Sequence, residues 1–292
     1  MDYIGLDGAV IHAATGQDKL LTRVFGSPVL RTLIKPLTAP VLSKAAGRLL
    51  DSKLSSLLAR GFIRKNKIDM SDYEKRHFQS FNDFFTRKML PGKRVIAGGA
   101  DALVSPADGK VSCFRLTEDA AFTVKNSVYT AASLLRDKTL ATRFSGGTAI
   151  VIRLSVDDYH RYCYCCDGIK TADRHIKGFL NTVHPRACEQ TTVYKQNSRS
   201  YCVIRSVRFG ALIQMEVGAL LVGRICNNQP DAGIVNKGAE KGRFEFGGST
   251  VILFLEKDAC AVAPALFKNT AAGFETLVRQ GNVLARTKHG EG

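Results

Sequence analysis

The 292-residue chain lacks any apolar run approaching the ~20 residues that span a bilayer, so no transmembrane helix is expected. Its opening residues, MDYIGLDGAV, carry acids where an export signal has its basic region, so no signal peptide is expected either. The chain shows no internal repeat and no low-complexity stretch. Zinc-finger spacing, an RNP-like aromatic strand and a helix-turn-helix pattern are all missing, so nucleic acid is not an expected partner. Cysteine is sparse for the length. Eight thiols without a secretion signal point to reduced cysteines in a cytoplasmic setting rather than a disulfide framework. His160, Cys163, Cys165 and Cys166 form one crowded patch, but the second ligand couplet of a zinc site is absent, and no metal is expected. Acidic residues are scarce: 26 Asp and Glu against 42 Lys and Arg leave a formal charge of +16.

What is present is globular: 45% hydrophobic and 23% charged residues, enough for one large domain or a domain with an accessory module. The positive charge is concentrated. Between Asp18 and Lys67 stand eleven Lys or Arg against Asp18 and Asp51. In this segment Leu42, Ala46, Leu49, Leu50, Leu57 and Leu58 recur at helical spacing, with Lys44, Arg48, Asp51 and Lys53 on other faces. Pro28, Pro36 and Pro40 cut it into short pieces, and Gly61 reads as a stop. A basic amphipathic helix of this kind either packs on its own domain or lies in a lipid headgroup region. On the pattern alone the two readings are even; with a lipid substrate, residues 1–70 would be a helical, membrane-associating segment and 71–292 the catalytic domain.

Ser71 with Glu74 and Ser80 with Asp83 resemble capping boxes that open two helices. From Val104 onward the pattern changes to short apolar or alternating runs between glycine turns: Val111 to Phe114, Thr148 to Leu154, Tyr201 to Val207, Leu212 to Val222 and Val251 to Leu255. A short helix is expected around Thr130 to Arg136. The fold class is α+β, a mostly β catalytic core with an N-terminal basic helical module.

One turn stands out, Phe246-Gly247-Gly248-Ser249-Thr250-Val251. Two glycines free the backbone, and the Ser249 hydroxyl can reach the carbonyl carbon of Gly248. Attack there converts the peptide to an ester, and elimination and hydrolysis then leave a pyruvoyl group in place of the serine. Taken alone, the tetrapeptide reads as an ordinary glycine-rich hairpin turn.

Its surroundings carry more. The run KGAEKGRFEFGGSTVILFLE follows four blocks: FNDFFTRKMLPGKR (Phe81 to Arg94), SPADGKV (Ser105 to Val111), RLSVDDYHRY (Arg153 to Tyr162) and MEVGALLVGRI (Met215 to Ile225). In order and spacing the five closely resemble the phosphatidylserine decarboxylase family, and they cover most of the chain. The resemblance implies a pyruvoyl cofactor built from Ser249 that receives the substrate amine as a Schiff base. It implies cleavage after Gly248 into chains 1–248 and 249–292, which stay associated. It also implies phosphatidylserine in anionic membranes as substrate and a peripheral position on the cytoplasmic face of the cell membrane. Homo-oligomer assembly is left open.

The family's charge relay joins an Asp and a His to the serine. The aspartate maps onto Asp108, which by itself reads as an Asp-Gly turn residue. His160 matches the histidine linked to decarboxylation. Where many members carry a second histidine, in a pattern like His-Arg-x-His, this chain has Cys163. Three readings stay open for the relay: Cys163 substitutes, His160 serves both steps, or His184 takes the role. Arg153, Lys177, Arg186 and Arg199 flank these blocks as candidate partners for a phosphate or carboxylate.

Overall fold

A computed structural model describes residues 2–6, 8–12, 47–74, 77–124, 127–178, 193–218, 224–245 and 249–288. The strands in chain order are β1 (Asp2–Ile4), β2 (Val10–His12), β3 (Ala102–Val104), β4 (Gly109–Arg115), β5 (Ala121–Val124) and β6 (Ser127–Thr130). Next come β7 (Thr148–Leu154), β8 (Arg161–Cys163), β9 (Gly168–Lys170), β10 (Arg174–Ile176), β11 (Arg199–Ser206) and β12 (Gly210–Gly218). The last are β13 (Ile225–Asn227), β14 (Gly233–Val235), β15 (Glu240–Phe244), β16 (Ser249–Leu255), β17 (Ala261–Val262), β18 (Glu275–Val278) and β19 (Val283–Arg286).

The main sheet runs β14-β9-β11-β12-β16-β7-β4-β18-β1-β2, with β10 also on β11. At its centre β12, β16, β7 and β4 pair antiparallel. Alternation along these strands feeds two apolar layers. Ile252, Phe254, Val151 and Met215 enter one, and Val251, Leu253, Ile152 and Leu212 enter the other. The five β runs legible in the sequence form strands, Leu212 to Val222 as far as Gly218 with 219–222 outside the described residues, and Thr130 caps the helix Ala131–Leu135 with a full capping box. Two further three-stranded sheets, β13-β15-β8 and β17-β19-β3, accompany the main one. Tyr162 of β8 and Phe244 of β15 lie in the second apolar layer, so the β13-β15-β8 sheet covers that face.

Of three local expectations about helix ends, one holds and two are corrected. Ser80 does cap the helix Phe81–Phe85. Ser71 opens no helix, because Tyr73 bridges to Met89 and the Glu74 amide donates to the Lys88 carbonyl, making an extended pairing instead. Gly61 does not end its helix: Ser56–Asn66 runs through it and stops at Lys67 in the left-handed region. Phe62 packs edge-on against Phe81 and Phe84, and that contact outweighs the glycine's propensity. The first twelve residues also contribute strands, with β1 parallel to β18 and antiparallel to β2.

Much of the basic N-terminal segment, residues 13–46, lies outside the described residues. Of the part described, Leu49, Leu54, Leu57 and Leu58 are exposed while Ala59, Phe62 and Ile63 face the protein. Among the described residues no helix is long and apolar enough to cross a membrane.

Candidate active site

Ser249 is the first residue of β16, fully buried, and pairs with Leu154 of β7 on one side and Gly218 of β12 on the other. Strand alternation places it on the face of Val251 and Leu253, under the β13-β15-β8 sheet. Phe246, Gly247 and Gly248 lie outside the described residues.

On the far side of β7, β4 begins at Gly109, and Lys110 pairs with Arg153. A Cβ on Gly109 would meet the Arg153 carbonyl at 2.7 Å, so close strand contact demands the glycine. Asp108 just before it thus stands at the same end of the sheet as Ser249, two strand spacings of about 4.8 Å away. Its carboxylate accepts from Arg94 Nε at 3.2 Å and from the Gln280 amide at 2.7 Å, and it also pairs with Arg94 Nη2. Burial pushes its pKa up, and Arg94 and the Gln280 amide pull it partly back. The Gln280 side chain donates to the Pro106 and Arg161 carbonyls at 3.1 and 3.3 Å.

His160 follows the turn that leaves β7. Asp158 builds that turn by accepting from the Ser155 amide at 2.6 Å and pairing with Lys110 at 2.7 Å. The Asp158 carbonyl accepts from His160 Nδ1 at 2.9 Å, which assigns the proton to Nδ1 and leaves Nε2 with its lone pair. Nε2 is buried with no hydrogen-bond partner among the described residues. The Phe85 ring lies 4.0 Å from the imidazole. Burial first, then the positive charge of Arg87, lowers the His160 pKa to about 3. The His160 carbonyl accepts from the Phe244 amide at 2.9 Å, tying the histidine to the strand that leads towards Ser249.

Cys163 closes the other side of β8. Its amide donates to the Pro106 carbonyl at 2.9 Å and its carbonyl accepts from Gln214 at 3.0 Å. Burial pushes the thiol up to about 12, with the charge of Asp108 adding to the rise. The structure thus sets Cys163, rather than an imidazole, beside Asp108. His184 lies outside the described residues.

The same layer holds a buried ion pair, Lys241 to Glu216 at 2.5 Å, with Gln214 donating to Glu216 at 3.3 Å. Burial pushes the Glu216 carboxyl up and Lys241 draws it back. Glu216 pairs across the ladder with Val251, two residues from Ser249.

Of the basic candidates, Arg153 is spent on Glu275 at 2.5 Å. Arg199 donates to the carbonyls of Leu134, Lys195, Asn197 and Ser133. Lys177 is exposed, and Arg186 lies outside the described residues. Sequence reasoning missed Arg94, Gln280 and Arg87. The first and last lie inside the FNDFFTRKMLPGKR block, which was their only signal. Gln280 sits 172 positions from Asp108, with no local pattern to mark it.

Residues 81–285 match the phosphatidylserine decarboxylase family. A phosphatidylserine decarboxylase proenzyme 2 of Clostridium acetobutylicum is 39% identical over 273 residues, spanning 93% of this chain and 92% of that one. A phosphatidylserine decarboxylase proenzyme of Clostridium tetani is 36% identical over 92% of both chains. One from Chlamydia muridarum is 38% identical over 84% of this chain and 83% of its own. By motif order, matched length and identity, the chain belongs to the phosphatidylserine decarboxylase family.

Proposed function

We propose that this protein cuts itself between Gly248 and Ser249 and then decarboxylates phosphatidylserine to phosphatidylethanolamine and carbon dioxide, a step of phospholipid biosynthesis. The observation that carries the reading is topological: β4, β7 and β16 bring Asp108, the turn bearing His160, and Ser249 to one end of one sheet. The site suits a pyruvoyl group made from Ser249, because the serine is fully buried and the buried Thr250 Oγ1 next to it has no hydrogen-bond partner among the described residues. When formed, that group supplies the electron sink that protein side chains lack.

The chain's own residues do the rest. Ser249 is a weak nucleophile until a base takes its proton. His160 Nε2 has a lone pair and no partner, whereas the Cys163 thiol keeps its proton at neutral pH. His160 is therefore assigned both tasks: taking the Ser249 proton, and returning a proton to the substrate carbon after carbon dioxide leaves. Asp108, clamped by Arg94 and Gln280, fixes the electrostatics of that corner. Because β16 is paired on both sides, the fragments 1–248 and 249–292 stay together after cutting.

The exposed Leu49, Leu54, Leu57 and Leu58, flanked by Lys53, Arg60, Arg64 and Lys65, suit an anionic membrane surface that presents the lipid. The position proposed is peripheral, on the cytoplasmic face. Intact-mass measurement tests the reading: the wild type should run as two fragments, the small one blocked at its N-terminus, and Ser249→Ala as one inactive chain. An active, uncut wild type would end the pyruvoyl assignment.

A further inference from the structure

Among the described residues, Arg87 is the arginine of the site region whose burial its contacts do not explain. It is 1% exposed, yet Nε and Nη1 have no hydrogen-bond partner among the described residues. Nη2 reaches Tyr73 Oη and the Asp157 carbonyl only at 3.4 Å, longer than ordinary N–H···O bonds. Among the described residues no carboxylate forms a salt bridge with it. Its guanidinium lies 4.4 Å from the centre of the Tyr73 ring and 5.0 Å from that of Phe84. Ring faces attract a cation but accept no in-plane N–H, so up to three N–H groups are left without an acceptor. A buried cation in that state calls for a counter-anion.

The place of Arg87 says which anion. One short turn serves both basic groups: the Asp157 carbonyl faces Arg87, and the next carbonyl, Asp158, accepts from His160 Nδ1. Phe85, two residues before Arg87, packs on the imidazole. The Thr86 carbonyl is held by Arg161 Nε at 2.9 Å, so the residue preceding Arg87 is fixed in advance. Two polar groups unpartnered among the described residues, a donor set and a lone pair, therefore meet one buried turn.

We propose that Arg87 is the anion-binding residue of the substrate site and takes the phosphodiester of the lipid headgroup, leaving the carboxylate unpaired and ready to depart. This rests on the decarboxylase reading above. The phosphodiester is favoured over the carboxylate because a carboxylate held by a guanidinium would be stabilised in the ground state, which opposes its loss. The phosphorus lies three bonds from the carbon that His160 must protonate, a spacing that matches a cation set beside the imidazole. Arg87 also bears on the base itself, since its charge helps lower the basicity of His160, and an anion seated on it would relieve that effect.

The test compares two soluble substrates, short-chain phosphatidylserine and an O-alkylserine that keeps the amine and carboxylate but has no phosphodiester. Arg87→Gln should raise KM for the phospholipid about 10- to 100-fold, the scale of a lost charge-assisted contact, and leave O-alkylserine turnover within about threefold. Arg87→Lys, with charge but no fork, should fall between. Equal losses on both substrates, or no loss on the phospholipid, would overturn the assignment. A second arm needs no mature cofactor: dibutyl phosphate titrated into the uncut Ser249→Ala chain should shift the His160 ring signals saturably. Adding Arg87→Gln should abolish that shift, and a shift that survives it counts against the proposal. A wild type that neither cuts nor decarboxylates would defeat the decarboxylase reading, while the dibutyl phosphate titration would still decide whether Arg87 holds an anion.

Discussion

The two corners of the site are built on opposite terms. At Asp108 every partner is in place: Arg94 and the Gln280 amide fill the carboxylate, and the Gln280 side chain ties Pro106 to Arg161. At His160 and Arg87 the turn is equally well pinned, yet Nε2, Nε and Nη1 are buried without partners among the described residues. Buried polar groups in folded proteins are paired as a rule, so a cluster of exceptions marks a place where something else binds. Asp108's corner holds a shape. The corner of His160 and Arg87 waits for a ligand and for a proton.

The sharpest way to break that contrast is to remove one member of each corner. His160→Ala should let uncut precursor accumulate, and each cut chain should turn over ~100- to 10,000-fold more slowly, the usual worth of a general acid–base group. Its stability should fall less than that of Asp108→Asn, because the lost Phe85 packing and Asp158 carbonyl bond are offset in part by removal of the unsatisfied Nε2. Asp108→Asn should also accumulate precursor, but with a clear loss of stability, since the Arg94 pairing goes with it. If His160→Ala unfolds the protein more readily than Asp108→Asn, the two corners have been assigned the wrong way round. Intact mass and urea unfolding of both variants decide it.

The next effect is on pH dependence. The folded His160 titrates at about 3 instead of 6.5, so the unfolded chain takes up a proton that the folded one refuses. The stability this residue contributes is present above pH ~6.5 and is lost progressively as pH falls towards ~3, by on the order of a few kcal/mol. Asp108 works in the other direction, its raised value making the fold relatively more favourable as pH falls. Unfolding measured across this range should show the His160 loss in the wild type and a flattened curve in His160→Phe. An unchanged curve would mean that the imidazole is not held neutral by the fold.

A smaller effect sharpens the paired side. Gln280→Leu removes the donor to the Arg161 carbonyl, while Pro106 keeps the Cys163 amide. The cost should be about 1–3 kcal/mol of stability for the stranded acceptor, with cutting within a few-fold of wild type because the backbone amide that holds Asp108 is kept. A variant as stable as wild type would show that water takes over the role.

Why Gln280 could not be read from the sequence is instructive. Patterns of period two and short turns report on neighbours along the chain. They delivered β7 and β16 because residues such as Ala149 to Ile152 and Val251 to Leu255 are buried on both faces and leave an unbroken apolar signature. The Thr130 cap was legible for the same local reason. A glutamine that meets an aspartate across most of the chain leaves no such trace, and neither does an arginine whose distinguishing property is what it does not touch. Ser71 and Gly61 failed in the opposite way: their local signals were real, but Met89 and the Phe81–Phe84 cluster supplied tertiary contacts that overrode them. Asp108 and Ser249 could be placed through the family resemblance, not through geometry.

Cys163 gives the smallest expected effect and the finest test of the comparison, because it belongs to the paired corner while occupying the position of a family histidine. With its thiol pushed up to about 12, it stays protonated near neutrality and can take no proton from Ser249. Cys163→Ala should therefore cut within a few-fold of the wild-type rate and lose about 1 kcal/mol for the small void left in a packed layer. Cys163→His brings an imidazole next to Asp108 in a space sized for sulfur, at an overpacking cost of about 1–3 kcal/mol. If it fits, cutting should be at least as fast as in the wild type, and it should persist when His160→Ala is added. That result would separate the two tasks now assigned to His160. If instead Cys163→Ala stops cutting, the proton leaves Ser249 through the Asp108 corner and the contrast drawn above inverts. If the Cys163→Ala/His160→Ala double variant still cuts at the wild-type rate, neither corner holds the base, and His184 becomes the residue to replace next.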